Sequence, residues 1–157
     1  MELPRYHRLR GALYRLEGSA CHACDARAFP ARATCAACGA RDAAPFAFSG
    51  RGTLWSFARV AQAPRGFASV APYAVGMVRL AEGPLVTAQL ADVEGVDLAI
   101  GMEMEMTTRK IRDAQENGFI VYGYKFRPSL RPAAQAGPMP QTSAAPVSGP
   151  APRGGGA

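Results

Sequence analysis

The chain contains few of the residues that enzymes use for nucleophilic or acid–base chemistry. It has two histidines, His7 and His22, and its four cysteines all lie between residues 21 and 38. It has no Gly-x-Ser-x-Gly motif, no phosphate-binding loop ending in Gly-Lys-Ser/Thr, and no glycine fingerprint for dinucleotides. Because this set offers no nucleophile with a base and an orienting group, we expect the chain not to be an enzyme by itself.

Long hydrophobic runs are also absent. No apolar stretch approaches the ~20 residues that a membrane-spanning helix requires. The arginine-rich segment 1–16 lacks the apolar core of a secretory signal. Together with cysteines that do not form a disulfide framework, these features predict a soluble, cytoplasmic protein without a membrane partner.

The positive charge of the chain is spread out. Half of the net charge of +6 belongs to Arg127, Arg131 and Arg153, which lie in a terminal segment without acids. A site that holds Zn²⁺ with four thiolates would lower the charge of the remainder by about two further units. A duplex-binding protein needs a concentrated basic face, so the charge distribution disfavours nucleic acid as a partner.

Two Cys-x-x-Cys turns, or knuckles, organise the N-terminal third of the chain. Cys21 and Cys24 form the first, Cys35 and Cys38 form the second, and ten residues separate them. Each knuckle directs two thiolates toward one point, so two knuckles complete a tetrahedron around a metal ion. Four protein ligands leave no open coordination position for a substrate. The spacing therefore predicts a rubredoxin-like ribbon that holds a structural Zn²⁺.

Other uses of these cysteines are less favoured. Disulfides require an oxidising compartment, and a redox dithiol usually has one Cys-x-x-Cys beside a βαβ unit. Iron in a four-thiolate site, as in an electron carrier, stays open, because the sequence does not distinguish it from zinc. Gly39 after the second knuckle permits a left-handed turn, whereas Asp25 follows the first. We therefore expect the first knuckle to be less regular.

One helix and five strands are predicted around the ribbon. Apolar residues recur at helical spacing between Pro4 and Leu16. Aromatic, β-branched and alternating residues then predict strands at 52–60, 73–80, 85–90, 102–107 and 119–126. Ala81-Glu82-Gly83-Pro84 and Asn117-Gly118 are turn signals between strands. Five short strands with a longer connection after the third fit a partly open OB barrel, and an SH3-like barrel is the alternative.

The expected architecture is mostly β, with a disordered C-terminal tail. The methionines at 102, 104 and 106 alternate with glutamates and are expected in the barrel core. In the connection 92–101, we expect four apolar residues to cap one end of the barrel: Val93, Val96, Leu98 and Ile100. The tail is rich in Pro, Ala, Gly and Ser and lacks large apolar residues. The predicted units are an N-terminal helical segment (1–20), a zinc ribbon (21–48), an OB-fold barrel (49–128) and the tail (129–157).

Two stretches combine cations with aromatic side chains and are candidate binding sites. The first is the loop between the first two barrel strands, which carries Arg65 and Phe67; this connection commonly contacts ligands in OB barrels. The second is the last strand, where period two separates Tyr124 from Lys125 and Arg127. Its aromatics form either core packing or a stacking platform, and its cations can meet phosphate or carboxylates.

These stretches together resemble a known family, the zinc-ribbon plus OB-fold proteins that accompany acyl-CoA enzymes. The match covers residues 13–128 and rests on the approach to the first knuckle, on Phe29-Pro30, on 50–53 (GRGT) and on 122–128 (YGYKFRP). The approach and the ending are most similar to members paired with thiolases. Asp25 stands where the family usually has glycine.

The resemblance implies that catalysis belongs to a thiolase-like enzyme, with which this chain forms a hetero-oligomer. The ribbon and barrel would then support activity and help to hold or pass the CoA thioester. CoA offers an adenine, anionic phosphates and a pantetheine arm. The residues expected near CoA or the partner are Arg65, Phe67, Tyr124, Lys125 and Arg127. Two alternatives stay open: a single-stranded nucleic-acid binder, and an accessory subunit of an acyl-CoA hydratase.

Overall fold

Two short helices, a three-stranded sheet and a five-stranded barrel follow one another along the chain. The structure, a computed structural model, describes residues 3–62, 64, 67, 70–112 and 120–130. In these residues, no helix has both the length and the apolar character needed to cross a membrane. The elements are α1 (Leu3–Arg8), α2 (Arg10–Arg15), β1 (Glu17–Cys21), β2 (Arg27–Ala28), β3 (Ala43–Ala47), β4 (Arg51–Val60), β5 (Tyr73–Leu80), β6 (Leu85–Leu90), β7 (Glu103–Arg112) and β8 (Val121–Pro128).

The barrel has the strand order β4-β5-β6-β8-β7 and closes where β7 pairs with β4. The last strand therefore lies between the third and the fourth, as in a Greek-key OB barrel. All neighbours are antiparallel except β6 and β8, which meet in a short parallel pairing of Leu90 with Phe126. The N–H of Ala91 donates to the carbonyl of Phe126 at 2.8 Å and completes this seam. The predicted fold class, a ribbon followed by a five-stranded OB barrel, is confirmed.

The N-terminal segment contains two short helices where the sequence predicted one. The break lies at Leu9, whose backbone (φ −87°, ψ 4°) leaves the helical region between α1 and α2. The second helix ends at Arg15, and the next residue, Leu16, adopts a left-handed conformation (φ 49°) and is fully buried. Burial of this leucine in the core offsets the cost of its backbone, which is about 1–2 kcal/mol for a residue with a Cβ.

The strand predictions hold best in the middle of the barrel. Strands β5 and β6 have the predicted bounds, and β4 begins one residue earlier than predicted. Strand β7 continues to Arg112, past the predicted end at 107, because its polar second half pairs with β8 up to Val121. Apolar and polar residues do not alternate in this second half of β7, so the sequence did not predict that it is a strand. The predicted Asn117-Gly118 turn and the tail beyond Leu130 lie outside the described residues.

The core fills the barrel and extends toward the ribbon. Met104 is buried, and Met102 and Met106 pack against the core, so the prediction for the alternating methionines is confirmed. The prediction for the connection after β6 is partly wrong. Val93 and Leu98 are buried, whereas Ile100 is 70% exposed. The largest side chains that are almost fully buried are Phe126, Leu16, Leu54, Leu80, Met104 and Val78.

Gly52 is required where β4 and β5 approach each other. A Cβ at this position would meet the carbonyl oxygen of Arg79 and would lie 2.8 Å from Cγ1 of Val78. We expect Gly52→Ala to lower the free energy of unfolding by about 2 kcal/mol or more, because backbone and core must both shift. Urea unfolding followed by the fluorescence of Trp55, the single tryptophan, measures this loss.

Gly95 is the matched control for this substitution. Its φ is +73°, but a Cβ there would have no neighbour within 4 Å. Gly95→Ala should therefore cost only about 1 kcal/mol, from the left-handed backbone alone. Equal losses in the two variants would show that the close approach at Gly52 does not matter.

Candidate metal centre and ligand-binding cleft

The three-stranded sheet brings the two knuckles together. Strand β1 lies in the centre and pairs antiparallel with β2 and β3. Cys21 is the last residue of β1 and pairs with Ala43 in β3. Ser19, which is buried, accepts a hydrogen bond from the N–H of Arg32 at 3.1 Å. This bond fastens the loop between the knuckles to the sheet.

The two knuckles have the same backbone hydrogen bonds. In the first, the N–H of Asp25 donates to the carbonyl of Cys21 at 2.9 Å; in the second, the N–H of Gly39 donates to that of Cys35 at 3.0 Å. Asp25 and Gly39 both have left-handed backbones, with φ of 54° and 75°. The expectation of a less regular first knuckle is therefore wrong. The aspartate adopts the conformation that the turn requires.

The four sulfur atoms are arranged as metal ligands. The Sγ atoms of Cys21 and Cys38 are 3.6 Å apart, as are those of Cys24 and Cys35, and all four lie within 4.8 Å of one another. A disulfide requires about 2.05 Å, so neither pair is bonded. A tetrahedron with metal–sulfur bonds of about 2.3 Å has sulfur–sulfur edges of about 3.8 Å. The cluster therefore fits one tetrahedral ion such as Zn²⁺.

The thiols of the cluster do not ionise independently. Backbone N–H groups of Cys38 and Ala37 lower the pKa of Cys35 to about 6. The N–H of Ala26 lowers the pKa of Cys24, but hydrogen bonds with the other thiols raise it to about 12. Four thiolates at this distance repel one another unless a cation neutralises them. The donor set thus matches a divalent metal ion that replaces the thiol protons.

An aromatic cluster joins the ribbon to the barrel. The ring of Phe29 meets Phe48 at 6.2 Å and Tyr124 at 5.4 Å, both edge to face. Burial raises the pKa of Tyr124. Among the residues proposed from sequence to contact CoA, Tyr124 thus lies at the junction of the two units. Phe126 is fully buried, so the last strand does not present its aromatics as an exposed stacking platform.

A cleft of about 540 Å³ opens beside the seam between β6 and β8. Lys125 of the last strand lies in its wall. The other charged residues that line it are Arg59, Arg109, Lys110, Asp92 and Glu94. Uncharged residues complete the wall, among them Tyr73, Gln89, Leu90 and Val93. We refer to this space as the seam cleft.

Lys125 is partly buried in the wall of the seam cleft. Burial lowers its pKa, and the positive charges of Arg109 and Lys110 lower it further. The cations of β7 and β8 are thus close enough to repel one another. Only in the folded barrel do these residues meet, because Arg109 is opposite Gly123, two residues before Lys125.

Arg127 is bound within the chain. Its guanidinium lies 2.8 Å from Oε1 of Glu105 and 3.4 Å from Oδ2 of Asp92. Arg109 contacts the same Asp92 oxygen at 3.1 Å. Hydrogen bonds to Glu105 and Asp92 raise the pKa of Arg127. The arginine therefore connects β8 with β7 and with Asp92 in the loop after β6, next to the seam cleft.

The predicted loop contributes one described residue. The ring of Phe67 packs against Tyr73 at 6.3 Å, so it lies beside the seam cleft. Arg65 lies outside the described residues. Arg59, Tyr73 and Arg109 were missed by the sequence reasoning, because the sequence of a strand does not show which other strand lies beside it. Of the five predicted residues, the fold therefore brings Phe67, Lys125 and Arg127 to one region and places Tyr124 elsewhere.

The comparisons with known proteins agree with this architecture. A family model described as the ChsH2 C-terminal OB-fold domain matches residues 47–109. A scaffold protein of Pyrococcus furiosus with a DUF35 domain is 45% identical over 131 residues, which are 83% of this chain and 96% of the relative. The chain belongs to the DUF35 domain-containing scaffold proteins. The family resemblance seen in the sequence is thereby confirmed.

Further matches also extend over most of the chain, at lower identity. A scaffold protein of Methanothermobacter thermautotrophicus is 39% identical over 73% of this chain and 87% of its own length. A solved structure named Ltp2-ChsH2(DUF35) aldolase has a TM-score of 0.59 at 24% identity and covers 79% of this chain and 89% of the matched one. At that identity, the likeness shows a shared fold.

Proposed function

We propose that this chain is a non-catalytic subunit of a thiolase-type acyl-CoA enzyme, with Zn²⁺ as a structural ion in its ribbon. It holds the complex together and helps to bind or pass the CoA thioester. The observation that carries this proposal is the 45% identity, over nearly the whole relative, to a protein named as a scaffold. The matched solved structure bears a name that joins a DUF35 chain to an enzyme, which supports a role beside a catalytic partner.

The described residues support a non-catalytic role beside a catalytic partner. The only cysteines lie in the metal cluster, where a closed tetrahedron leaves none of them as a nucleophile. The motif residues of the resemblance have structural roles: Gly52 lies against β5, Phe29 packs on Tyr124, and Phe126 closes the barrel. These motifs therefore support membership of the family.

Reconstitution tests the proposal directly. The full chain is tagged and purified from its native cells, the proteins that elute with it are identified, and the complex is rebuilt from separately purified components. We expect a thiolase-like enzyme in a fixed ratio, and thiolysis activity that rises at least severalfold when the chain is added. We expect no turnover of acetoacetyl-CoA by the chain alone.

Two results would contradict this function. Turnover of an acyl-CoA by the isolated chain would show that it is catalytic. A reconstituted complex with a hydratase, together with no binding to the thiolase-like enzyme, would favour the other accessory role. His22→Ala is the control variant and should form the complex as the unaltered chain does. The side chain of His22 is exposed, and its backbone N–H still donates to the carbonyl of Asp42 in the variant.

A further inference from the structure

We propose that the seam cleft binds a diphosphate, and that this diphosphate belongs to the nucleotide end of a CoA thioester. The choice of CoA rests on the proposed function, whereas the anionic character of the ligand follows from the cleft itself. The site joins residues from β4, β5, β7 and β8 with the loop after β6. Most of these residues lie far apart in the sequence.

The charges that line the cleft are unbalanced. In the described part of the wall, Arg59, Arg109 and Lys125 are cations that face the two acids Asp92 and Glu94, and Lys110 has an interaction partner of its own. Asp92 is already shared by two guanidinium groups, those of Arg109 and Arg127. Within the described part of the chain, neither Arg59 nor Lys125 forms an ion pair. The cleft therefore has positive charge available for a ligand.

The same cations are held close together by the fold. Arg109 and Lys110 lie near enough to Lys125 to disfavour its charged form, in addition to the effect of burial. Mutual repulsion of this kind destabilises the empty site and is relieved when an anion binds between the charges. A group with two phosphates provides enough negative charge and enough oxygen atoms for several cations at once.

The volume of the seam cleft and the fixed position of Arg109 favour a nucleotide over a single phosphate as the ligand. A volume of about 540 Å³ is in the usual range for small organic ligands and is larger than one phosphate needs. Leu90 and Val93 supply apolar wall, while Tyr73 and Gln89 supply polar groups. Asp92 holds Arg109 in place by their bond of 3.1 Å, so part of the site is ordered before a ligand arrives.

A polynucleotide fits these features less well. Binding of single strands uses successive exposed aromatic side chains along a basic groove. On β8, Tyr124 is packed against Phe29 and Phe126 is buried, so only Tyr122 of that strand's aromatics is exposed. The cations of the seam cleft surround one space. A small phosphorylated ligand is therefore favoured.

Calorimetric titration of the full chain tests the site. The probes are inorganic pyrophosphate, ADP, CoA, adenosine as an uncharged control, and a ten-nucleotide single strand. We expect pyrophosphate, ADP and CoA to bind, with CoA tightest, and adenosine not to bind. Arg59→Ala and Lys125→Ala should each weaken the binding of CoA about tenfold or more, because each removes a charged hydrogen-bond donor.

Arg51→Ala is the matched control. Arg51 is exposed, lies at the other end of β4 from Arg59 and does not line the cleft, so its loss changes the net charge equally. Affinity for CoA should stay within twofold in this variant. Because Arg59 is exposed, its replacement should leave the fold intact even where that of Lys125 lowers stability.

The outcomes separate this inference from the proposed function. If Arg59→Ala binds CoA as the unaltered chain does, or if pyrophosphate does not bind, the assignment of the cleft is wrong even when the thiolase complex forms. If pyrophosphate and ADP bind through Arg59 but CoA does not, the ligand is a different diphosphate and its assignment to CoA is wrong. Tighter binding of the oligonucleotide than of CoA would also overturn it.

Discussion

Removal of the metal from the four-cysteine cluster is expected to unfold the ribbon. The three strands of this sheet are short, and sulfur atoms of the two knuckles approach each other in two pairs at 3.6 Å. In small zinc domains, the metal contributes an apparent binding free energy on the order of 10 kcal/mol or more, and most of it serves as folding energy. Chelation, or Cys21→Ser at the most buried ligand, should therefore abolish the ordered amide signals of residues 17–47 in heteronuclear spectra.

His22→Ala supplies the control for that experiment. The residue lies between Cys21 and Cys24 and is exposed, so its removal should leave the metal content at one ion per chain. Elemental analysis is expected to show zinc, and a coloured protein with one iron would identify the electron-carrier alternative. A ribbon that keeps its spectrum after chelation and after replacement of all four cysteines would contradict a structural metal.

Phe126→Ala should destabilise the barrel by about 3–5 kcal/mol. Phe126 is fully buried, pairs with Leu90 across the parallel seam and accepts the hydrogen bond from Ala91. Its loss leaves a cavity at the point where the last strand closes the barrel. A loss of this size is a large part of the stability of a small domain, so the variant should be partly unfolded at 37 °C. Urea unfolding followed by Trp55 fluorescence measures the change.

Tyr122→Ala is the control on the same strand. Its side chain is 44% exposed, so truncation should cost about 1 kcal/mol or less. Phe126→Leu, which keeps most of the apolar volume, should lie between the two alanine variants. If Phe126→Ala loses no more than Tyr122→Ala, the seam does not depend on this ring.

The four-cysteine cluster and the barrel strands were accessible from the sequence because each is a local pattern. The spacing of Cys21, Cys24, Cys35 and Cys38 encodes two turns, and the alternation in β5 and β6 encodes burial on one side. The errors have physical causes. The sequence did not show that β7 continues as a polar strand, because backbone pairing with β8 is independent of the side-chain pattern. It also did not show that Leu9 interrupts the helix.

The candidate binding residues show the limit of local reasoning. Tyr124 and Lys125 are neighbours in the chain, yet one packs against Phe29 of the ribbon and the other lines the seam cleft. Arg127 is expected near CoA or the partner, and within the chain it pairs with Glu105 and Asp92. The role of each residue depends on which side chains of the neighbouring strand, the loop after β6 and the ribbon contact it.

The sequence by itself therefore determined the four-cysteine cluster, the order of the two units and the family, since these depend on spacing and on residues near one another in the chain. Only the tertiary structure decided which charges meet. Arg59, Asp92, Arg109 and Lys125 come together because a parallel seam inserts the last strand between the third and the fourth. That closure is set by the packing of the whole core, and no segment of the chain encodes it alone.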